Sequence, residues 1–244
     1  MGIYRIAVIT DIHGNIYALN AALNDIKSKS VDYIYCLGDM IGIGPYTNEV
    51  LDVLFELNNI EIITGNHDEA VLAILKKEPY PKSRVDVMPH HEWIGERIDD
   101  SHIPELEKLP CVINLTIYHH HLHFIHYPMQ QKLRQAHISE DPFDVTGLPS
   151  PEKFSVINDL DDFSLVCFGH DHSNHQFKCK NTTFFNSGSL GCYNQPYARY
   201  GIIDIDKKDY HIWQQYVPYD LDTFVSELRK VSIPRKEIIL SIYD

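Results

Sequence analysis

In the first third of the chain, continuous apolar segments alternate with segments whose apolar residues have helical spacing. Residues 4–10 contain the apolar run Ile6–Ile9 and resemble a strand that is buried on both faces. The alternation predicts strands at 4–10, 33–37 and 61–64 and helices at 15–29, 47–57 and 68–77. Because strands and helices alternate, we predict a largely parallel sheet with right-handed crossovers.

The remainder of the chain has a different pattern. Short strands are predicted at 111–118, 122–127, 165–168, 176–180, 183–186, 200–205 and 211–215. We expect the first two to form a hairpin and the second half to be a mostly antiparallel meander. Helices are predicted at 92–98, 105–109 and 221–231. The first two are bounded by Pro79 and Pro110 and are expected to form a cap or flank, and 128–164 is expected to be a long surface excursion.

Length and composition indicate one domain that covers 1–244. The 44% hydrophobic fraction is enough for a sizeable core, and no apolar stretch approaches the roughly 20 residues of a membrane span. The first residues lack a basic region followed by a signal-like apolar segment. The five cysteines have no CxxC spacing and are expected to be free thiols in a reducing compartment. We therefore expect a cytoplasmic protein without membrane contact.

The net charge of −13 argues against a long nucleic acid as partner, because such binding depends on Lys and Arg that displace counterions from phosphates. A small anionic substrate is compatible with this charge if metal ions supply a local positive field. Composition does not indicate an oligomeric state.

Five short polar segments each follow an apolar run. They are Asp11-Ile12-His13, Gly38-Asp39, Gly65-Asn66-His67-Asp68, His126 and Gly169-His170-Asp171-His172. Parallel strands present their carboxyl ends at one edge of a sheet, so we expect these segments to build one site from many loops. On an extended backbone residues i and i+2 point the same way, which would let Asp11 and His13, and likewise His170 and His172, converge on a cation.

Each segment alone has a simpler interpretation. Asn66 could be a helix cap and Asp68 a favourable charge in the first helical turn, effects worth about 1 kcal/mol. His67 could have a core or capping role, and His90 and His91 either cap a helix or face the cleft. The joint occurrence of five segments favours a cluster of divalent cations instead.

In this order the segments resemble the motifs of the calcineurin-like metallophosphoesterase superfamily, small prokaryotic phosphodiesterase-type members in particular. The resemblance covers residues 11–172, with a further similarity at 186–191. It implies an α/β fold, a four-layer αββα sandwich of two mixed β-sheets flanked by helices. It also implies one metal site made by Asp11, His13, Asp39 and His172, and a second made by Asp39, Asn66, His126 and His170. Asp39 would bridge the two metals.

The resemblance further implies a reaction, in-line attack on phosphorus by a metal-activated hydroxide between two divalent cations about 3.5 to 4 Å apart. His67 resembles the family's catalytic histidine, which would protonate or stabilise the leaving oxygen. Asp68 would orient the imidazole or favour its charged form. Nitrogen and oxygen ligands are compatible with Mn, our first choice, and with Fe, Zn, Co or Ni.

Departures from the family pattern indicate the subgroup. Where protein serine/threonine phosphatases carry Asp-Arg-Gly, this chain has Gly42-Ile43-Gly44, so their phosphate-holding arginine is missing. This favours an enzyme that hydrolyses a small phosphodiester, nucleotide or dinucleoside polyphosphate. The alternatives are a phosphomonoesterase, a protein serine/threonine phosphatase and, outside the enzymes, a metal-binding protein-interaction scaffold. Arg134, Arg199 and Tyr193 are candidates for substrate contact.

Overall fold

The structure is a computed structural model that describes residues 2–143 and 148–244. The strands are β1 (Tyr4–Ile9), β2 (Tyr33–Cys36), β3 (Ile60–Ile62), β4 (Val112–Ile117), β5 (His120–Ile125), β6 (Leu165–Cys167), β7 (Asn174–Cys179), β8 (Thr182–Ser187), β9 (Tyr197–Ile205) and β10 (Tyr210–Pro218). The α-helices are α1 (Ile16–Ser28), α2 (Thr47–Glu56), α3 (Asn66–Leu75), α4 (Met88–Gly95), α5 (Ile103–Glu107), α6 (Gln131–Arg134), α7 (Pro151–Phe154), α8 (Leu221–Lys230) and α9 (Lys236–Leu240). Short 3₁₀ helices cover Lys82–Val87, Ile138–Glu140 and Asn158–Leu160. No helix in this part of the chain is both long and apolar enough to span a membrane.

The described residues form two mixed sheets of five strands each, in the orders β10-β9-β1-β2-β3 and β4-β5-β6-β8-β7. In the first sheet β1, β2 and β3 are parallel, as their alternation with helices predicts. Strand β9 is antiparallel to β1, and β10 is antiparallel to β9. In the second sheet β5, β6 and β8 are parallel, while β4 and β7 are antiparallel edge strands. The predicted fold class is confirmed.

The sequence predicts a mostly antiparallel meander for the second half; β4–β5, β7–β8 and β9–β10 are antiparallel pairs as expected, but the meander connectivity is wrong. Strands β5 and β6 are parallel, because the long segment between them returns the chain to the edge where β5 began. Strands β9 and β10 leave the second sheet and extend the first. An alternation of apolar residues predicts a strand, but it carries no information on the direction of the neighbouring strand.

Strand β1 is buried on both faces because it lies between two layers. Ile6 and Val8 pack against the second sheet, in a cluster that includes Phe124. Ala7 and Ile9 face the opposite way, into the cluster that α1 and α2 cover. A further apolar cluster, which includes Phe154 of α7, covers the outer face of the second sheet. The order of layers is therefore helix, sheet, sheet, helix.

Residues 79–110 contain a 3₁₀ helix, α4 and α5. Ile94 and Leu106 are buried in the same cluster as α1 and α2, so α4 and α5 flank the first sheet. Helix α4 begins at Met88, whereas the apolar spacing predicted a start at 92. The 3₁₀ helix Lys82–Val87 contributes side chains to the pocket described below.

Candidate metal centre

The five polar segments lie at the edge of the sandwich where the parallel strands end. Asp11 and His13 follow β1, Asp39 follows β2, Asn66 opens α3 after β3, His126 follows β5, and His170 and His172 follow β6. All seven side chains predicted to bind metals are buried or half-buried. The structure thus brings together side chains that are as far apart in the chain as Asp11 and His172.

One cluster forms around His13. The Nε2 atom of His13 lies 3.7 Å from Asp11 Oδ1, 3.8 Å from Asp39 Oδ2 and 3.0 Å from His172 Nε2. His172 Nε2 is 3.6 Å from Asp11 Oδ1. These four side chains are the set predicted for the first metal.

The second cluster forms around His126. Its Nε2 atom lies 3.2 Å from Asp39 Oδ2 and 3.1 Å from Asn66 Oδ1, and Asn66 Oδ1 is 2.6 Å from His170 Nδ1. Asp39, His126 and His170 each place one ligand atom within 4.8 Å of the others. Since Asp39 Oδ2 is close to both clusters, it has the position that a bridging ligand requires.

The Asn66 amide can take two orientations at the second cluster. Its Oδ1 points at His126 Nε2 and His170 Nδ1, so three electron-donating atoms face one another. Hydrogen bonding alone would favour the opposite amide orientation, with the nitrogen donating to both rings. With Oδ1 inward the three atoms could bind one cation, and Asn66 Nδ2 then faces two other donors, His67 N at 3.2 Å and Arg84 Nη2 at 3.1 Å. Behind the ligands, His13 Nδ1 donates to Ile41 O at 3.1 Å and His126 Nδ1 donates to Leu37 O at 2.6 Å, which directs Nε2 of each ring toward the other side chains of its cluster.

The backbone at the ligands is not extended, in contrast to our expectation. Asp11, His13, Asp39, His170 and His172 all have positive φ, between 51° and 77°. This left-handed region is uncommon for residues other than glycine and is stabilised here by surrounding contacts, such as the bond from His13 N to Asp39 O at 3.0 Å. The side chains converge because the chain turns sharply at each strand end, and not because of strand alternation.

Burial and charge set the protonation states of the donor atoms. Burial lowers the pKa of His13 and of His170 to about 3, so both rings are neutral near neutral pH. For His126, burial lowers the pKa but the Asp39 carboxylate outweighs it and raises the pKa to about 9. Burial raises the pKa of Asp39, but the His126 and His67 imidazoles outweigh it and hold that pKa well below its usual range. An Asp39–His126 ion pair therefore competes with metal binding.

Metal binding is expected to release close to one proton from His126 at neutral pH, because Nε2 must be deprotonated before it can bind a cation. The apparent affinity of metal-free protein for Mn should rise about tenfold per pH unit from pH 7 and level off above about 9, the pKa of His126. Calorimetric titrations in buffers of different ionisation enthalpy measure the released protons directly. An affinity that is flat over this range would contradict the ion pair.

The structure corrects the expected contact between Asp68 and His67. The Asp68 carboxylate accepts bonds from the backbone N–H groups of Asp39, Met40 and Gly65 at 2.8, 3.1 and 2.9 Å. It is thus a carboxylate at a helix start that fixes the loop of Asp39. A carboxylate saturated by loop N–H groups cannot also orient the imidazole.

His67 is oriented by other side chains. Its Nδ1 lies 2.8 Å from His91 Nε2, and His91 Nδ1 lies 2.8 Å from the Tyr80 hydroxyl. Gly42, at φ +122°, is required beside the ring, since a Cβ there would be 2.7 Å from His67 Nδ1. His91 thus faces the site, one of the two alternatives left open by the sequence.

A cavity of about 270 Å³ opens next to both clusters. It is lined by Asp39, Gly42, Ile43, Asn66, His67, Arg84, Val87, His90, His170, His172, Arg235, Ile238, Ile239 and Ile242. Sequence reasoning missed Arg84, Arg235 and the three isoleucines after Arg235, because no motif or periodicity connects them to the ligand segments. His90, left open by the sequence, also lines this cavity.

The arginines proposed from the sequence have other partners. Arg134 pairs with Asp159. Arg199 donates to the His172 carbonyl at 2.8 Å and lies over the Tyr193 ring, so it supports the backbone of a predicted ligand. Cys192 Sγ lies within 4.8 Å of donor atoms of His13 and His172. Because burial raises the pKa of Cys192 to about 12, it is a neutral thiol and we leave it out of the ligand set.

A protein-family model described as the calcineurin-like phosphoesterase superfamily domain matches residues 4–208. The chain therefore belongs to this superfamily of metal-dependent phosphoesterases, which confirms the resemblance of the five segments. The hypothetical protein PH1004 of Pyrococcus horikoshii OT3 shares its fold, with a TM-score of 0.77, 18% identity and coverage of 98% of this chain and 97% of that one.

Two curated relatives match shorter segments. The uncharacterized protein MJ0912 of Methanocaldococcus jannaschii is 37% identical over 113 residues, which is 46% of this chain and 44% of the relative. A symmetrical bis(5'-nucleosyl)-tetraphosphatase of Buchnera aphidicola is 35% identical over 72 residues, 27% of this chain and 25% of that enzyme. The matched segments span less than half the length of either relative.

Proposed function

We propose that this protein is a binuclear metal-dependent phosphoesterase. The observation that carries the proposal is the position of Asp39 Oδ2, which lies 3.8 Å from His13 Nε2 in one cluster and 3.2 Å from His126 Nε2 in the other. Each cluster combines carboxylate, imidazole or amide donors, a set that suits divalent transition metals, with Mn as our first choice. When bound, two such cations would acidify a water and neutralise the charge of phosphoryl oxygens.

The residues of the chain would divide the remaining tasks. Asp11, His13 and His172 would hold one cation, Asn66, His126 and His170 the other, and Asp39 both. His67 lines the pocket beside them, and its Nε2 would carry the proton that the leaving oxygen receives. Asp68 would act on the reaction only through the loop of Asp39.

The substrate class that we propose is a small phosphodiester, nucleotide or dinucleoside polyphosphate. Ile43 stands where protein phosphatases carry their arginine, and the cavity of about 270 Å³ beside the ligands has room for a small ester group. Partial similarity to a dinucleoside tetraphosphatase supports the nucleotide option. We further propose that 1–244 is one domain and that the protein acts in the cytoplasm.

Purified protein loaded with Mn should hydrolyse bis(p-nitrophenyl) phosphate, and a chelator should abolish the reaction. A panel that adds p-nitrophenyl phosphate, cyclic nucleotides and diadenosine polyphosphates separates diesterase from monoesterase activity. Metal-replete protein that cleaves none of these compounds would contradict the proposal and favour the protein-interaction scaffold.

A further inference from the structure

The pocket beside the metal ligands contains a cationic side chain that faces the predicted catalytic histidine. Arg84 Nη1 lies 3.4 Å from His67 Nε2. Its other terminal nitrogen, Nη2, is 3.1 Å from the outward-facing atom of the Asn66 amide, which is Nδ2 when Oδ1 faces the predicted metal and can accept from Arg84 only in the opposite orientation. Within residues 2–143 and 148–244, no carboxylate lies in ion-pairing distance of Arg84, in contrast to Arg134, which pairs with Asp159.

The backbone segment that carries Arg84 is held in place by hydrogen bonds with other side chains. The Asp141 carboxylate accepts bonds from Lys82 N and Ser83 N, each at 3.1 Å, and from the Ser83 hydroxyl at 2.6 Å. The Tyr80 hydroxyl reaches the Arg84 carbonyl at 3.3 Å. Because the segment is held in place, the guanidinium can meet an anion without the cost of ordering a loop.

One group of residues in the pocket lining is apolar. It consists of Ile43, Val87, Ile238, Ile239 and Ile242, which we call the isoleucine wall. Arg235, at the start of this wall, donates from Nε to the Asp86 carbonyl at 2.9 Å, so it joins the C-terminal segment to the 3₁₀ helix of Arg84. The side chains of the wall have no donor or acceptor for a second phosphate, and the guanidinium of Arg235 beside them pairs with the Asp86 carboxylate at 3.6 Å.

We propose that Arg84 binds a non-bridging oxygen of the substrate phosphate, while the isoleucine wall contacts an uncharged aromatic or nucleobase-sized ester group. The site would then select phosphoesters with a single phosphate and discriminate against polyphosphates, whose additional charges would meet the apolar wall. The inference rests on the proposed phosphoesterase function and narrows its substrate class.

The test of Arg84 compares Arg84→Met and Arg84→Lys with the control Arg97→Met, a variant at an exposed position just after α4. Inorganic phosphate is the probe, and its affinity is measured by competitive inhibition and by calorimetry. Arg84→Met should weaken phosphate binding and lower kcat/KM for bis(p-nitrophenyl) phosphate by about 10- to 100-fold at unchanged metal content. Arg84→Lys should restore part of the loss, and Arg97→Met should match the wild type. Unchanged phosphate affinity in Arg84→Met would overturn the assignment.

The test of the wall uses Ile238, which is 52% exposed and therefore tolerates a charge, with Val85, 55% exposed and outside the pocket lining, as the control. Ile238→Glu should lower kcat/KM for bis(p-nitrophenyl) phosphate about tenfold, and Val85→Glu should not change it.

Wild-type protein should prefer this diester over diadenosine tetraphosphate by at least about tenfold. The opposite preference would overturn the inference, even though it would support the proposed phosphoesterase function. Metal-replete protein without turnover would contradict that function, while phosphate binding would still report on Arg84.

Discussion

Asp39→Asn is expected to remove both metal ions and to lower turnover by about 10³-fold or more. The reason is that Asp39 Oδ2 lies 3.8 Å from His13 Nε2 and 3.2 Å from His126 Nε2, so one charge serves both clusters. Losing it removes several kcal/mol of charge stabilisation, which corresponds to such a factor. Elemental analysis of purified protein measures the metals, and kinetics with bis(p-nitrophenyl) phosphate measures turnover.

The matched control is Asp171→Asn. Asp171 lies between His170 and His172, but its carboxylate accepts from Asn186 Nδ2 at 3.0 Å and contacts His175 Nε2 at 2.6 Å. This variant should keep both metals, because the side chain supports a loop and does not reach the clusters. Two metals retained in Asp39→Asn would contradict the bridging position.

His67→Ala is expected to keep both metals and to lose turnover in proportion to the basicity of the leaving group. If Nε2 supplies a proton to the leaving oxygen, alkyl esters should lose about 10²- to 10⁴-fold and p-nitrophenyl esters much less. A series of aryl and alkyl phosphodiesters, assayed with parallel elemental analysis, measures both quantities. An unchanged rate with alkyl esters would remove His67 from the mechanism.

The same experiment separates catalysis from ligation. His13, Asp39 and His67 each place a ligand atom within 4.8 Å of the others, so the geometry also permits His67 to bind a metal. Loss of a metal in His67→Ala would support that role and contradict proton donation. His91→Gln, which keeps a polar partner for His67 Nδ1, should lose less activity with alkyl esters than His91→Phe.

Much of the first sheet and of the ligand set could be predicted from the sequence. The apolar run Ile6–Ile9 predicts a fully buried strand, and a polar residue directly after such a run must lie at a strand end. This reasoning places Asp11 and Asp39 at one edge of the sheet. Their positive φ could not be predicted, because residue types other than glycine carry little signal for it.

The rest depends on contacts between distant segments. The sequence neighbour of His67 is Asp68, yet the partner of its ring is His91, which α4 brings to the site. Arg84 and Ile238 meet at one pocket although they belong to opposite halves of the chain. Local periodicity carries no information on which distant residues come into contact. The Asp and His motifs, in contrast, do indicate metal-binding chemistry.

The proposed mechanism depends on two cations that share Asp39. Diffraction from crystals grown with Mn, with data collected at the Mn absorption edge, tests this arrangement most directly. We expect two anomalous peaks about 3.5 to 4 Å apart, one next to His13 and His172 and the other next to His126 and His170, with Asp39 between them. A single peak, or two peaks that Asp39 does not join, would contradict the shared carboxylate.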